Sequence, residues 1–414
     1  MLEENRDYGT VIIGAGHSGL SLAWELKQRG ERAVIFERDS AMHAWKDLRW
    51  DNFTLVTPNW MCRLPGYSYQ GELPHGFMNR EEVYSWLQAY VQLVDAEIHE
   101  SVEVQSVSRT EVGLSLQTSQ GTVRARAVIV ATGGTFQLPR FPASAELLPH
   151  TIQRLHSLDY RNAAQLAEGA VLVVGSAQSG AQIAEDLMLE GREVHLAVGD
   201  AVRTSRFYRG RDVMDWLDLL GRAGMLSGGP LGRQELATSP YVTGRDGGRD
   251  INLYKFAEQG MRLYGRLDRV TANTIHFAPT LNRSLRKAEA FNNGFKDMVD
   301  TLITAQGLEL PDESREAASA ELVEPEVLDL DASGVRSVIW ATGLRADYSW
   351  LSSEVLDGNG HVVHQEGVTV VPGLYYYRAS GLLGADAKWF DPTPIDAGQL
   401  ADHVLRDAAG VQAG

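Results

Sequence analysis

Gly14, Gly16 and Gly19 stand at the end of an apolar run, Thr10-Val11-Ile12-Ile13, with His17 and Ser18 among them. Gly175 and Gly180 repeat the arrangement after Val171-Leu172-Val173-Val174, with Ser176-Ala177-Gln178-Ser179 inside the loop. Glycine at such a turn lets the main chain approach a pyrophosphate closely. The helix behind it directs free N–H groups and a partial positive charge at the same point. The chemistry on offer is recognition of two dinucleotides at once, with something passing between them.

The residues that follow each loop separate the two sites. After the first, the strand Ala33-Val34-Ile35-Phe36 ends at Glu37, about 20 positions on. A carboxylate there accepts hydrogen bonds from ribose hydroxyls and repels a 2′-phosphate, so this site favours FAD or NAD over NADP. In the second loop Ala177 replaces the middle glycine, and its methyl crowds the phosphate approach slightly. The next strand runs through Val198-Gly199-Asp200 to Arg203, Arg206, Arg209 and Arg211. Guanidinium groups fork onto phosphate oxygens, which makes Arg203 and Arg206 the candidates for a 2′-phosphate and fits NADPH better than NADH. A solvated arginine face is the alternative. Ser18 in the first loop, with Gln178 and Ser179 in the second, completes the two candidate cradles. Two later strands end in Ala131-Thr132-Gly133 and Ala341-Thr342-Gly343, small residues that let backbone lie against a cofactor.

The elements that must carry these residues are legible in outline. A helix over 20–26, closed by Gly30, joins the first loop to the strand ending at Glu37 and makes a βαβ unit. Residues 47–76 read as irregular, and 81–94 as an amphipathic helix. Short alternating segments at 102–107, 113–118 and 122–127 predict an antiparallel meander, with a separate buried strand at 127–130. A proline-bearing link over 138–149 precedes the second βαβ unit, whose helix covers 181–189. Residues 203–319 mix helical stretches at 213–220 and 253–261 with glycine-rich turns at 228–230 and 244–248. The charged turn 245–250 lacks the ligand spacing of a calcium loop, and no metal site is expected. A strand returns at 335–340.

A chain of 414 residues, 44% hydrophobic and 22% charged, has the make-up of two folded domains. The net charge of −16 argues against nucleic acid or an anionic membrane as the main partner. With Cys62 as the only cysteine, the chain forms no internal disulfide, no redox Cys pair and no cysteine zinc cluster. The polar, acidic start and the lack of a run of about 20 apolar residues predict a soluble cytoplasmic protein. Oligomeric state is not legible.

Taken together, the pattern resembles the class B flavin-dependent monooxygenases, the group with two dinucleotide sites that includes flavin-containing monooxygenases, plant YUCCA enzymes and Baeyer–Villiger enzymes. The likeness rests on the first loop with Glu37, residues 45–58, both Ala-Thr-Gly ends, the second loop, residues 339–350, and Ala379-Ser380-Gly381-Leu382-Leu383 followed by Asp396-Ala397. It implies an α/β fold of two Rossmann-like dinucleotide-binding domains: an FAD domain over 1–165 and 330–414, interrupted by an NADPH domain over 166–329. It adds Arg38, Trp45 and Val104 to the FAD site. It marks Asn59 as an active-site candidate, and His156 and Tyr160 as remnants of a fingerprint in which His150 and Ile152 replace the usual aromatic residue and glycine. Tyr160-Arg161 stands where the Baeyer–Villiger subgroup has Trp-Pro.

The resemblance further implies hydride transfer from NADPH to the flavin N5, capture of O₂ as a C4a-(hydro)peroxyflavin, and oxygenation of a small substrate at nitrogen, sulfur or a carbonyl. Two other readings stay open at this point: an NADPH-dependent flavin reductase or oxidase, and a nucleotide-sensing flavoprotein without turnover. Aromatic and proline-rich residues at 45–69 and 389–394 are the expected pocket.

Overall fold

The computed structural model describes residues 6–111, 113–133, 138–227, 240–315, 320–379 and 395–412. Among them, two mainly parallel sheets carry the two glycine loops. The first places Asp7–Ile13 between Val34–Phe36 and Gly121–Val130, with Glu97–His99 beyond Val34–Phe36. The meander Val104–Thr110, Gly113–Thr118 is joined to this sheet through Gly121–Val130. That last strand runs unbroken for ten residues, where two strands meeting at Ala127 were expected. Residues 121–125 pair antiparallel with the meander, while 124–130 track Asp7–Ile13 in parallel.

Period-two burial explains why both faces of this sheet are covered. Ile12, Ile35 and Ile129 face one way, onto the helices His17–Gln28, Arg80–Val94 and Ala397–Gln412. Val11, Ile13, Val34, Phe36, Val128 and Val130 face the other, against the meander and Tyr348, Leu351 and Leu374. Apolar runs with no alternation are what a sheet buried on both sides requires.

The second sheet is parallel throughout, in the order Gln153–His156, Val335–Trp340, Ala170–Val174, Val194–Ala197, Arg262–Tyr264. Two of its strands lie outside the expected 166–329 span. Gln153–His156 and Val335–Trp340 were assigned by sequence to the first domain, yet they hydrogen-bond inside the second sheet. Residues 153–156 and 335–340 thus belong to the second sheet, and the chain returns to the first sheet through Leu374–Tyr376. The two crossings lie side by side: Leu138–Pro139 pairs antiparallel with Leu344–Arg345, and Arg140 N–H donates to the Gly343 carbonyl at 3.0 Å.

Within 203–315, helices Val213–Arg222 and Leu253–Glu258 form as expected, the second ending ahead of the strand Arg262–Tyr264. The 26-residue helix Leu281–Gln306 was not anticipated. The turn at 228–230 and the pocket residues 389–394 lie outside the described residues, as do Ser380, Gly381, Leu382 and Leu383. No helix among the described residues is long and apolar enough to cross a membrane.

Candidate functional site

The two loops are built alike. Gly14 and Gly175 take φ of +108° and +106°, backbone that disfavours a side chain. A Cβ on Gly14 would lie 2.7 Å from the Ala131 carbonyl oxygen, and one on Gly175 would overlap that of Ala341. Each Ala-Thr-Gly end thus abuts the first glycine of its own loop, sharing its sheet through Ala131 N–H to Ile13 and Ala341 N–H to Val174, both at 2.9 Å. Gly19 and Gly180 seat the helix on the loop, since a Cβ on either would overlap the Gly14 or Gly175 carbonyl oxygen. Gly16 differs from both. Nothing lies within 4 Å of where its Cβ would be, so the open face of the loop is left for a ligand.

Gly16 and Ala177 are the N-caps of helices His17–Gln28 and Gln178–Leu189, with nearly equal extended backbone (φ −79°, ψ 179° and φ −71°, ψ −174°). Alanine adopts that conformation freely, which is how it replaces a glycine there. Neither helix has a side-chain cap or an acidic residue in its first turn. The first-turn N–H groups and the positive end of each dipole are therefore free for a phosphate.

Around the first loop, the half-buried Glu37 carboxylate accepts from Ala15 N–H at 2.7 Å and Asp39 N–H at 2.9 Å. Both oxygens keep a further lone pair for a ribose hydroxyl. Val102 N–H donates to the Glu37 carbonyl, which places the strand beginning at Val104 beside it. Arg38 is exposed and paired with Asp39 at 3.2 Å. Ser18 is buried, and its hydroxyl accepts from Ala379 N–H at 3.1 Å, tying the C-terminal segment to the loop. Trp45 is half-buried, edge-on to His17 and Phe53, with the Arg49 guanidinium 5.0 Å from its ring centre. Burial, then the Arg49 charge, hold the His17 imidazole down to about 4, so it is neutral at pH 7.

Around the second loop, Ser176 accepts from Gly199 N–H at 3.0 Å, and the Gln178 amide pairs with both backbone groups of Val242. Ser179 is exposed at the loop face. The arginines behave otherwise than expected. Arg203 is 2% exposed and forks onto the Glu289 carboxylate, with Asp250 at 3.8 Å. Arg206 is fully buried, with Nε 2.7 Å from Asp212 Oδ2, Nη1 2.6 Å from the Val56 carbonyl, and its guanidinium 4.2 Å from the Phe77 ring centre. Both serve buried ion pairs that tie 203–212 to neighbouring segments. A 2′-phosphate role was expected of Arg203 and Arg206; here each guanidinium group faces a carboxylate, Glu289 and Asp212 respectively.

The three catalytic candidates are also engaged. Asn59 is buried, its Nδ2 donating to the Leu73 carbonyl at 2.9 Å and its Oδ1 accepting from Met78 N–H at 2.8 Å. It clasps the loop rather than presenting a free amide. His156 is fully buried, with Nε2 3.1 Å from the Gly343 carbonyl and Nδ1 accepting from Leu158 N–H at 3.2 Å. Those partners assign the proton to Nε2, and burial holds its pKa below the ordinary histidine value. Tyr160, fully buried, donates to Asp186 Oδ2 at 2.7 Å. His156 thus touches the crossing at Gly343, Tyr160 ties the link to helix Gln178–Leu189, and Asn59 holds the loop 59–78 together.

Asp186 is the residue the sequence did not single out. It sits 1% exposed on the helix behind the second loop and accepts from Tyr160 in the link, from Asn52 in the first half at 3.0 Å, and from Arg245 at 2.5 Å. Beside it Glu185 is 3% exposed with Arg249 at 3.3 Å, and burial raises its carboxyl to about 7. The charged turn 245–250 is thus a clamp on this helix. A helix polar on its buried face was the available signal, because Gln182, Glu185 and Asp186 interrupt Ile183, Ala184 and Leu187.

The pattern described as "Pyridine nucleotide-disulphide oxidoreductase" matches residues 11–217, half of the chain. An uncharacterised CzcO-like oxidoreductase of Geobacillus kaustophilus is 30% identical over 393 residues, spanning 92% of this chain and 96% of the relative. The chain belongs to the pyridine nucleotide-disulphide oxidoreductase family. It is an oxidoreductase of the two-dinucleotide flavoprotein type, although its single Cys62, buried and raised to about 12 by that burial, supplies no redox disulfide of its own.

Within the family, the resemblance to class B flavin-dependent monooxygenases holds. Rice indole-3-pyruvate monooxygenase YUCCA1 is 27% identical over 324 residues, covering 72% of this chain and 76% of that protein. The solved flavin-containing monooxygenase of Stenotrophomonas maltophilia shares the fold, with a TM-score of 0.59 at 20% identity over 99% of both chains. The bacillithiol disulfide reductase of Staphylococcus aureus shares it too, at 0.58 and 14% identity over 97% of this chain and 99% of that one. Flavin and pyridine nucleotide are the cofactors of this architecture.

Proposed function

We propose that the chain is an FAD-dependent monooxygenase, which takes hydride from a reduced pyridine nucleotide and inserts one atom of O₂ into a small organic substrate at nitrogen, sulfur or a carbonyl. The observation that carries this reading is the doubled loop: two uncapped helix N-termini, each with its own Ala-Thr-Gly end, in sheets joined by paired crossings. FAD fits the first site, where Gly16 leaves the phosphate face open and Glu37 holds two acceptors at the strand end. The pyridine nucleotide fits the second, around Gly175, Ala177, Ser179 and Gly180. The NADPH expected there loses the two arginines that suggested it.

Bound flavin supplies the hydride acceptor and the activation of O₂. The chain's own residues do the rest. Gly14, Gly16 and Gly19 shape the diphosphate cradle, and Glu37 orients the adenosine. Thr132, Gly133, Thr342 and Gly343 line the crossing between the two sites. Trp45, with Phe53 and the neutral His17, forms the aromatic wall beside the first loop. His156, Tyr160 and Asp186 hold the crossing and the second helix at one angle, so that both reactive rings meet in register.

The test is the fate of oxygen. Purified, FAD-loaded protein is supplied with reduced pyridine nucleotide and a panel of amines, sulfides and ketones under isotopic O₂. A labelled product with coenzyme consumption in step supports monooxygenation. Stoichiometric hydrogen peroxide with no labelled product across the panel supports the oxidase reading, and no reduction of the flavin refutes both.

A further inference from the structure

The two βαβ units correspond residue by residue, and the correspondence exposes a difference. In the first, Ile13 pairs with Phe36 and Gly14 N–H donates to the Phe36 carbonyl at 2.8 Å. In the second, Val174 pairs with Ala197 and Gly175 N–H donates to the Ala197 carbonyl at 3.0 Å. Glu37, Arg38 and Asp39 therefore correspond to Val198, Gly199 and Asp200. A dinucleotide on such a loop lays its adenosine ribose at this strand end, where an acidic residue suits a free 2′-hydroxyl and an arginine suits a 2′-phosphate.

At the second site, among the described residues, no arginine or lysine stands at 198–200 or is paired with Asp200. Val198 is buried and apolar, and Gly199 spends its N–H on Ser176. Asp200 is exposed, its carboxylate accepting only a long bond of 3.4 Å from the Ser284 hydroxyl, and among the described residues no arginine or lysine is paired with it. Arg203 and Arg206, next along the chain, are committed to Glu289 and Asp212. Two exposed arginines on adjoining elements, Arg266 after the strand Arg262–Tyr264 and Arg283 beside Ser284, carry the opposite expectation.

Resting on the reading of this loop as the pyridine-nucleotide site, we infer that it takes NADH in preference to NADPH, with Asp200 setting the preference. The carboxylate accepts from the ribose 2′-hydroxyl of NADH. It meets the 2′-phosphate of NADPH as a like charge, which a binding site disfavours strongly.

The experiment is calorimetric titration of the full-length, FAD-loaded protein with NAD⁺ and with NADP⁺, for the native chain, Asp200→Asn and Asp200→Arg. NAD⁺ binds the native protein about tenfold or more tightly than NADP⁺, about one decade being the least a close like charge should produce. Asp200→Asn narrows the ratio, and Asp200→Arg inverts it. Because Asp200 is exposed, unchanged thermal melting of both variants checks that the fold is intact. Tighter NADP⁺ binding by the native protein overturns the inference and points to Arg266 and Arg283. A ratio that does not move in either variant removes Asp200 as its cause and overturns the inference equally. Binding of neither nucleotide to yellow, folded protein overturns the assignment of the second site itself, a different failure from a reversed ratio.

Discussion

Replacing Arg206 with methionine separates a buried structural cation from a phosphate ligand. The side chain is fully buried, with Nε and Nη2 at 2.7 and 2.6 Å from one Asp212 oxygen and Nη1 at 2.6 Å from the Val56 carbonyl. Methionine keeps the apolar packing over Phe77 but leaves Asp212 as a buried carboxylate whose remaining donor is Met214 N–H at 2.8 Å. Breaking a buried pair from one side costs about 3–5 kcal/mol. For a cooperative unit of the size of the second domain this lowers the melting temperature by on the order of 10 °C. The double variant Arg206→Met, Asp212→Asn keeps an N-cap for helix Val213–Arg222 and removes the orphaned charge, so it regains most of the loss. Urea denaturation of both variants measures this, alongside the ratio of NAD⁺ to NADP⁺ affinity well below the melting point. The reasoning predicts lost stability with an unchanged ratio. Native stability together with a selective loss of NADP⁺ binding would refute it and restore Arg206 as a phosphate ligand.

Other expectations follow from the same geometry. Gly16→Ala folds with native stability, because its Cβ enters open space, yet it weakens FAD retention; Gly19→Ala overlaps the Gly14 carbonyl and lowers the yield of folded protein before any cofactor is added. Melting of the flavin-free protein beside a flavin-release assay distinguishes the two. Glu37→Gln weakens FAD binding by about tenfold to a hundredfold, the worth of hydrogen bonds to a charged acceptor, as read from the fluorescence of released flavin. The buried Glu185 keeps its proton to about 7 when folded and loses it near 4.5 when unfolded. Its contribution to stability is therefore full below 4.5 and falls as pH rises toward 7, by about 3 kcal/mol in all. Glu185→Gln flattens that slope, and identical pH profiles of urea midpoint for the two proteins would remove the effect. Tyr160→Phe takes one donor from the buried Asp186 and destabilises by about 1.5–3 kcal/mol, with hydride transfer slowed more than coenzyme binding is weakened.

The first βαβ unit was legible because every level agreed: an apolar run, a glycine loop, a capped helix end and a carboxylate at one fixed interval. The second loop was legible for the same reason, and Ala177 fits because its backbone is one any residue adopts. Sheet membership was not legible at 153–156 and 335–340. A short buried strand shows its partners only through long-range pairing, and the proline-bearing link before 150 looked like a boundary. The helix Leu281–Gln306 left a usable trace in Leu281, Leu285, Ala288, Phe291, Phe295, Met298 and Leu302, obscured by Gly294 and the polar residues between them. The arginines misled for a physical reason. A guanidinium suited to phosphate is equally suited to a carboxylate, and Glu289 and Asp212 reach Arg203 and Arg206 from distant or local segments that spacing alone does not reveal.

Visible spectroscopy of the FAD-loaded protein under anaerobic titration with NADH, and in parallel NADPH, tests the central claim most directly. On the proposed reading, with flavin and pyridine nucleotide brought together by the two loops, the flavin band bleaches to completion at about one reduced coenzyme per bound flavin. A protein that holds flavin yet keeps its yellow band through an excess of both coenzymes would contradict the account.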